Sequence, residues 1–157
     1  MIIGVISDTH ENVANILKAV EEFKKENVEF VIHLGDVIAP GTVKFFEGLN
    51  MKFIQGNCDG DIDLLKQKIE EKGWEFLGET AELELNGKKI FLSHKPNEEA
   101  INSGKYAYVF HGHTHKKRLE TVGNTTVLNP GAHYWKSENT IVVLDLEKDE
   151  ARFLELS

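Results

Sequence analysis

Residues 2–10 read IIGVISDTH, an apolar run that gives way abruptly to polar residues. The run from Ile2 to Ser7 is too short for a helix and rich in β-branched residues, so it predicts a buried first strand. Asp8 and His10 follow at the point where that strand ends. From Asn12 onwards the apolar residues recur with helical spacing, and asparagine at this position favours an N-cap. The chain is therefore predicted to begin with a strand, a polar loop and a helix.

This alternation of strand and helix is predicted to continue through the first half of the chain. Further strands are predicted at residues 30–34 and 52–55, and further helices at 43–49 and 61–72. After Gly73 apolar and polar residues alternate with period two and turn dipeptides recur, which is typical of antiparallel hairpins. The later strands are predicted over residues 81–85, 89–93, 106–110, 118–122, 125–128, 140–146 and 151–156, with one short helix at 98–103.

Strand–helix units followed by hairpins indicate a mixed α/β (α+β) architecture, with parallel strands first and antiparallel strands later. Two sheets packed face to face, with helices outside, would accommodate this number of strands. A chain of 157 residues has the common size of one domain and can bury roughly 70% of its unfolded surface. We therefore expect a single domain over residues 1–157 with a hydrophobic core of its own.

The composition excludes several classes of protein. The net charge is −8 and no long basic run is present, which argues against a nucleic-acid-binding surface. No stretch approaches the roughly 18 apolar residues of a membrane span, and residues 1–10 lack the charged start of a signal peptide. Cys58 is the one cysteine, so no intramolecular disulfide can form. These features predict a cytoplasmic protein that does not enter the membrane.

Polar clusters follow five of the predicted strands. Because ligands bind at the carboxyl ends of strands in open α/β sheets, we expect these clusters to meet in one site. Taken singly, each cluster has an ordinary explanation as a turn or a buried histidine, so the prediction depends on their joint position. The clusters are Asp8-Thr9-His10, Gly35-Asp36, Gly56-Asn57-Cys58-Asp59, Ser93-His94 and His111-Gly112-His113-Thr114-His115.

The residue types in these clusters indicate a metal site. Carboxylate, amide and imidazole ligands suit Mn, Fe, Co, Ni or Zn, and thiolate clusters that would favour structural zinc are absent. One residue separates His113 from His115, and one separates Asp8 from His10. On an extended backbone this spacing places both side chains of each pair on the same side. The sequence thus predicts a site for divalent metal ions.

These motifs resemble those of the calcineurin-like metallophosphoesterase superfamily. The short chain looks most like its small phosphodiesterase branch from archaea and bacteria, which is related to the retromer subunit of the same fold. The resemblance implies a four-layer αββα sandwich, in which two mixed β-sheets are flanked by helices. The matching motifs, in chain order, are Asp8-x-His10, Gly35-Asp36, Gly56-Asn57-x-Asp59, His94 and Gly112-His113-x-His115.

The resemblance also implies a role for each motif residue in a binuclear metal centre. Asp36 would bridge two divalent ions, and a hydroxide held between the ions would attack the phosphorus atom. Asp36, Asn57 and His94 would thereby be catalytic residues as well as ligands. We expect Mn or Ni to be favoured over Fe, Co or Zn. The first ion would be held by Asp8, His10 and His115, and the second by Asn57, His94 and His113.

Four further residues are of interest. Many superfamily members have a histidine at the position of Cys58, where it is thought to protonate the leaving group. A thiol is a poor acid for this task, so either good leaving groups are preferred or Cys58 is packed and inert. Lys95, where many relatives have glycine, is either solvated or contacts the substrate phosphate. Asp59 either orients a histidine or caps the next helix, and His133 is a candidate for lining the substrate entrance.

The leading prediction is a divalent-metal-dependent phosphodiesterase that acts on a small-molecule phosphodiester. A phosphomonoesterase of the same fold is the first alternative, and Cys58 counts against it. A non-catalytic scaffold subunit is the second alternative, but relatives used in that way tend to lose metal ligands, and this chain retains the full set. Homo-oligomer formation through a strand edge near the C-terminus stays open.

Overall fold

A computed structural model describes all residues of the chain, 1–157. The strands are β1 (Ile2–Ile6), β2 (Val31–His33), β3 (Met51–Phe53), β4 (Glu75–Phe76), β5 (Thr80–Leu85), β6 (Lys88–Ser93), β7 (Tyr108–Phe110), β8 (Arg118–Val122), β9 (Thr125–Asn129), β10 (Thr140–Asp145) and β11 (Glu150–Glu155). The helices are α1 (Val13–Lys25), α2 (Ile62–Glu71) and α3 (Glu98–Asn102), and a 3-10 helix covers Pro40–Phe46. None of these helices has the length and apolar character needed to cross a membrane.

The strands form two mixed sheets. The first has six strands in the order β11-β10-β1-β2-β3-β4. Strands β1 to β4 are parallel to one another, β10 pairs antiparallel with β1, and β11 pairs antiparallel with β10. The second has five strands in the order β5-β6-β7-β9-β8. The expectation that the second half would be antiparallel is wrong for β6, β7 and β9, which pair in parallel. The reason is that α3 and β8 lie in the connections between these strands, so each connection returns to the starting edge of the sheet.

Hydrophobic contacts define four layers. The helices α1 and α2 cover the outer face of the first sheet, with Phe23 fully buried in that layer. The two sheets meet through a second cluster, in which Ile32 of one sheet and Leu92 of the other are fully buried. On the far side, Ile101 of α3 packs in a smaller cluster with Val109 of the second sheet. The predicted αββα sandwich is confirmed.

Local sequence explains how α1 begins beside the loop that follows β1. The Oδ1 atom of Asn12 accepts a hydrogen bond from the backbone N–H of Asn15 at 3.1 Å, so the predicted N-cap is confirmed. The aromatic ring of Phe23 packs directly over Gly4 of β1, where a Cβ atom would overlap the ring. Glycine at this point lets the helix lie close to the sheet.

Two local features differ from the prediction. The helix expected at residues 43–49 is a 3-10 helix that begins at Pro40 and ends at Phe46. It stops there because Gly48 adopts a left-handed φ of +97°, which reverses the chain. The strand β4 was not predicted, since two residues carry too little pattern to reveal their pairing with β3.

Candidate metal centre

The predicted polar clusters meet at the carboxyl ends of the parallel strands. Asp8 follows β1, Asp36 follows β2 and Asn57 follows β3, all in the first sheet. His94 follows β6 and His113 follows β7, both in the second sheet. The site therefore lies where the same edges of two packed sheets come together, and each sheet contributes some of the side chains.

Four of the residues form a compact group. Asp8, His10, Asp36 and His115 offer ligand atoms that all lie within 4.8 Å of one another. The Nε2 atom of His10 lies 3.5 Å from Asp36 Oδ2 and 3.7 Å from Asp8 Oδ1. The Nε2 atom of His115 lies 3.3 Å from Asp8 Oδ1. The structure thus brings the three residues predicted for the first ion together with the aspartate predicted to bridge.

The remaining three residues adjoin this group on the other side of Asp36. The Nε2 atom of His94 lies 3.3 Å from Asp36 Oδ2 and 3.8 Å from Asp8 Oδ1. The Nδ1 atom of His113 lies 3.1 Å from Asn57 Oδ1, and the rings of His94 and His113 are 5.2 Å apart. Asp36 Oδ2 therefore lies close to an imidazole of each group.

Unpaired buried atoms show that these residues fit metal ions. Asp8 Oδ1, His10 Nε2 and His94 Nε2 are buried and have no hydrogen-bond partner. Buried polar atoms normally have a partner, and leaving one unpaired costs about 1–3 kcal/mol. Since the three atoms converge and all are good ligands for divalent ions, a cation placed among them would satisfy them together. The divalent metal ions that the fold implies therefore suit this donor set.

Contacts behind the ligands orient them. The Nδ1 atom of His94 donates a hydrogen bond to the backbone C=O of Leu34 at 2.8 Å. Because a carbonyl can only accept, this bond leaves the lone pair on Nε2, which faces the two carboxylates. Asp8 Oδ2 accepts from the hydroxyl of Ser7 at 2.5 Å and from the backbone N–H of His113 at 3.1 Å. Asp8 Oδ1 is consequently left free to bind a cation.

The charges in the group reinforce each other. Burial alone would raise the pKa of Asp8, but the nearby imidazoles of His10 and His94 outweigh burial and hold that pKa below its usual range. Burial likewise opposes ionisation of Asp36, yet His94 and the N–H of Cys58 lower its pKa. Burial lowers the pKa of His94, but the carboxylates of Asp36 and Asp8 raise it overall. Both carboxylates are therefore ionised and present negative charge to a cation.

Left-handed backbone angles explain how the side chains converge. The sequence predicts that an extended backbone aligns Asp8 with His10 and His113 with His115, and this explanation is wrong because these residues lie in loops. Their φ angles are positive, a conformation that is uncommon outside glycine and clusters at functional sites. The φ angles are 53° at Asp8, 43° at His10, 63° at Asp36, 72° at His113 and 64° at His115.

Asp59 ties two of the ligand loops to each other. Its Oδ2 atom accepts the N–H groups of Asp36 at 3.0 Å and Gly56 at 2.7 Å, and its Oδ1 atom accepts the N–H of Ile38 at 2.8 Å. A Cβ atom on Gly56 would overlap Asp36 Oδ1, so only glycine allows the loops to approach this closely. Neither role expected for Asp59 is correct, since it bonds no histidine and the cap of α2 is Asp61.

Three other predicted residues have clear positions. Cys58 is exposed, so the idea that it is packed in the interior is wrong. Desolvation and the nearby Asp36 carboxylate raise the pKa of the Cys58 thiol, which keeps it protonated. His133 is 2% exposed and its Nδ1 atom lies 3.0 Å from Asn15 Nδ2, so it does not line an entrance. The Nε2 atom of His111 lies 3.1 Å from Arg118 Nη1, and His111 is not a member of the compact group.

A cavity of about 380 Å³ opens beside Asn57 and His94. Lys95 is at its wall, together with side chains that can donate or accept hydrogen bonds. The lining contains no hydrophobic residue. Its members are Gln55, Gly56, Asn57, Glu79, Thr80, Ser93, His94, Lys95, Pro96 and Asn97.

Tyr134 is a neighbour of the site that the sequence analysis missed. Its ring lies 4.5 Å from that of His10 and 5.7 Å from that of His115, measured between ring centroids. The available signal was the Tyr134-Trp135 pair directly after His133, because two large aromatic residues in a polar loop are unusual.

Comparisons with known proteins agree with this geometry. The chain matches the family model for the calcineurin-like phosphoesterase superfamily domain over residues 1–149. It is 40% identical over 161 aligned residues to phosphodiesterase MJ0936 of Methanocaldococcus jannaschii, and the alignment covers 97% of each protein. A solved structure described as a novel archaeal phosphodiesterase superposes with a TM-score of 0.93 at 38% identity, covering 99% of this chain and 100% of that one.

More distant structures share the fold alone. Yfce, a phosphoesterase from E. coli, superposes with a TM-score of 0.74 at 16% identity, covering 100% of both chains. Vps29 from Entamoeba histolytica in complex with Zn²⁺ superposes with a TM-score of 0.66 at 17% identity, again covering 100% of both chains. The resemblance stated from the motifs, including its relation to Vps29, is confirmed.

Proposed function

Because the chain belongs to the calcineurin-like phosphoesterase superfamily, we propose that this hydrolase is a phosphodiesterase that depends on two divalent metal ions. One observation carries the proposal: Asp8 Oδ1, His10 Nε2 and His94 Nε2 are buried, convergent and unpaired around Asp36. Specificity for diesters is supported by the 40% identity to a relative named as a phosphodiesterase.

The ligands would divide between two ions that share one carboxylate. Asp36 would bridge, since its Oδ2 atom faces both His10 and His94. When bound, two such ions supply an activated water and neutralise charge on the phosphoryl oxygens. We propose Mn or Ni as the working metal, because nitrogen and oxygen donors without thiolates suit such ions. The first ion would be held by Asp8, His10 and His115, and the second by Asn57, His94 and His113.

The protein's own residues would bind and orient a small-molecule diester. The cavity beside Asn57 and His94 has room for one substituent of the phosphate. Lys95 lines that cavity, where its ammonium group can approach a phosphate oxygen as a point charge. Cys58 is the exposed group next to Asn57, and its thiol is a weak donor with a raised pKa. Substrates with good leaving groups would therefore be preferred.

The test is metal reconstitution of chelator-treated protein. We expect no hydrolysis of bis(p-nitrophenyl) phosphate without metal, activity on addition of Mn or Ni, and slower hydrolysis of p-nitrophenyl phosphate. Asp8→Asn is the control, since it removes the negative charge that faces both His10 and His115.

Each competing function has its own outcome in this experiment. Faster hydrolysis of the monoester than of the diester would replace the proposal with a phosphomonoesterase. Binding of metal, measured by calorimetry, without hydrolysis of either ester would support a scaffold role.

A further inference from the structure

A loop with two exposed aromatic residues borders the candidate metal centre. It connects β9 to β10 and carries Tyr134 and Trp135. The ring of Tyr134 lies 4.5 Å from His10 and 5.7 Å from His115, two members of the compact ligand group. Anything that contacts this loop from solvent is therefore next to the place where the phosphate would bind.

The exposure of these side chains is unusual. Tyr134 is 51% exposed and Trp135 is 78% exposed, the highest value among the exposed large hydrophobic residues of the chain. The others are leucines, found on the surfaces of helices α1 and α2 and on edge strand β8. Burial of an indole ring is favourable in proportion to the apolar area removed from water, and most of the area of Trp135 is still exposed to water. The loop thus offers an aromatic surface that its own chain does not cover.

Hydrogen bonds hold this aromatic surface in place. The backbone N–H of His133 donates to the C=O of Asp8 at 3.0 Å. Tyr134 and Ser137 close a tight turn. The N–H of Ser137 donates to the C=O of Tyr134 at 2.9 Å, and the N–H of Tyr134 donates to the Oγ atom of Ser137 at 2.9 Å. The N–H of Asn139 then donates to the C=O of Ala132 at 3.1 Å. The aromatic pair is therefore carried by a turn that is anchored on the backbone of a candidate ligand.

The chemistry of the loop suits a nucleobase attached to a phosphate. Base–aromatic stacking is a recurrent way to hold nucleotides, and a nearby cation strengthens it. Lys136 supplies that cation, with its Nζ atom 4.5 Å from the centre of the Trp135 ring. Lys136 adds positive charge beside the site on a chain of net charge −8, which favours the approach of an anionic substrate.

The opposite wall of the site has a different character. The cavity beside Asn57 and His94 is lined by polar residues, glycine and proline, with no aromatic surface on which a base could stack. A diester has two substituents, and the two walls therefore fit different ones. The polar cavity suits a hydroxyl-bearing group, and the Tyr134–Trp135 loop suits a planar one.

We propose that Tyr134 and Trp135 form a stacking surface for the base of a nucleotide, so that the substrate is a diester with a nucleoside on the His10–His115 side. This inference rests on the proposed phosphodiesterase activity. It commits to a nucleoside as the occupant of the loop, and contact with another protein becomes an outcome of the test.

The first experiment measures binding without turnover. Trp135 is exposed and the other tryptophan, Trp74, is 8% exposed, so a stacked base should quench mainly the fluorescence of Trp135. Adenosine monophosphate is titrated against ribose 5-phosphate, which has the same phosphate and no base. We expect quenching by the nucleotide and not by ribose 5-phosphate. Calorimetry should give a dissociation constant about 10-fold lower for the nucleotide, and Trp135→Leu should remove that difference in affinity.

The second experiment measures specificity with a constant leaving group. Thymidine 5′-(p-nitrophenyl phosphate) is compared with methyl p-nitrophenyl phosphate in the metal-loaded enzyme. We expect the nucleoside ester to have a KM about 10-fold lower, and Trp135→Ala to abolish that difference while hydrolysis of the methyl ester is unaffected. Leu119 is an exposed apolar residue on β8, so Leu119→Ala is the matched control and should change the KM of neither ester.

The outcomes separate this inference from the proposed function. Hydrolysis of both esters without any preference for the nucleoside would overturn the stacking surface and leave the phosphodiesterase intact. Hydrolysis of neither ester would overturn the phosphodiesterase, and the fluorescence titration would still report whether the loop binds a base. Aromatic variants that change neither binding nor KM would overturn the proposal and leave a protein contact as the use of the loop.

Discussion

The two halves of the candidate metal centre differ in how firmly the fold holds them. Asp8 and Asp36 are 0% and 2% exposed, and backbone N–H groups bind one oxygen of each. On the other side His94 is buried and held by the C=O of Leu34, but Asn57 is exposed and His113 is only partly buried, and these last two side chains hydrogen-bond to each other. Asp8 and the shared Asp36 are therefore arranged before a metal arrives, whereas Asn57 and His113 must exchange a protein contact for the metal.

This difference indicates that the two halves differ in their affinity for metal and in their freedom to adjust to a substrate. Ligands that are already oriented lose little entropy on binding, so the Asp8 side should bind its ion tightly. The Asn57 side adjoins the cavity and Lys95, and looser ligands there can adjust to a substrate. Substitutions at the residue shared by both halves, between the two loops and at Asn57 distinguish the contributions of the two sides.

Replacing the shared ligand should have the largest effect. In Asp36→Asn the side chain keeps its size but loses the charge that would hold two cations at one carboxylate. We expect kcat/KM for diesters to fall by roughly 1,000-fold or more, beyond the 10–100-fold typical of residues that only support a ligand. Metal content and the melting temperature are measured alongside. Robust hydrolysis by a folded Asp36→Asn protein would contradict the binuclear centre.

Adding a methyl group at Gly56, between the loops that carry Asp36 and Asn57, should have the next largest effect on metal affinity and activity. In Gly56→Ala the new Cβ atom overlaps Asp36 Oδ1, so the two loops must separate. We expect metal affinity and diesterase activity to fall by about 10–100-fold, as for other residues that orient ligands. Gly60→Ala is the matched control, because no atom lies within 4 Å of its added Cβ. Equal behaviour of the two variants would show that the close approach of the loops is unimportant.

Metal titration should resolve the halves directly. We expect calorimetry with Mn to show two binding steps. The dissociation constants of the two steps should differ by about 10-fold or more, which corresponds to a free-energy difference of about 1.4 kcal/mol. Asn57→Ala should remove the weaker step and preserve the tighter one. A single step of two equivalent ions, or loss of both steps in Asn57→Ala, would contradict the comparison.

The smallest effect is expected at the exposed thiol. Cys58→His places a better proton donor beside the open half, where an aligned acid can contribute about 100- to 10,000-fold. Because position 58 is exposed and leaves a new ring free to move, we expect only about a 5-fold rise in kcat for diesters with poor leaving groups. Hydrolysis of p-nitrophenyl esters should not change. An unaltered rate on poor leaving groups would show that this position does not limit turnover.

Much of the fold could be predicted because the local signals are strong. The cap at Asn12 and the hairpin at Asn86-Gly87 are confirmed, the latter with left-handed φ values of 53° and 75° that suit a two-residue turn. The parallel pairing of β6, β7 and β9 could not be predicted, because pairing depends on crossovers between distant segments. Hairpin signals in the neighbouring strands favoured the wrong orientation.

The supporting residues of the site were harder to predict than the ligands. Asp59 looked like a helix cap because caps and loop anchors use the same short acidic side chain. His133 looked like a surface histidine in a loop, yet it is buried against Asn15. The N–H groups of Asp36 and Ile38 that bind Asp59, and the side chain of Asn15 that contacts His133, are distant in the sequence, so no local pattern reveals them.

The chemistry of the candidate site could be predicted from the residues alone. Carboxylate, amide and imidazole groups occur directly after apolar strands, and strand patterning and ligand type are both local properties. The contact between Asp8 of the first sheet and His113 of the second, across 105 positions of sequence, follows instead from the three-dimensional packing. That meeting depends on how two sheets pack through their shared core, a long-range free energy to which residues throughout the chain contribute.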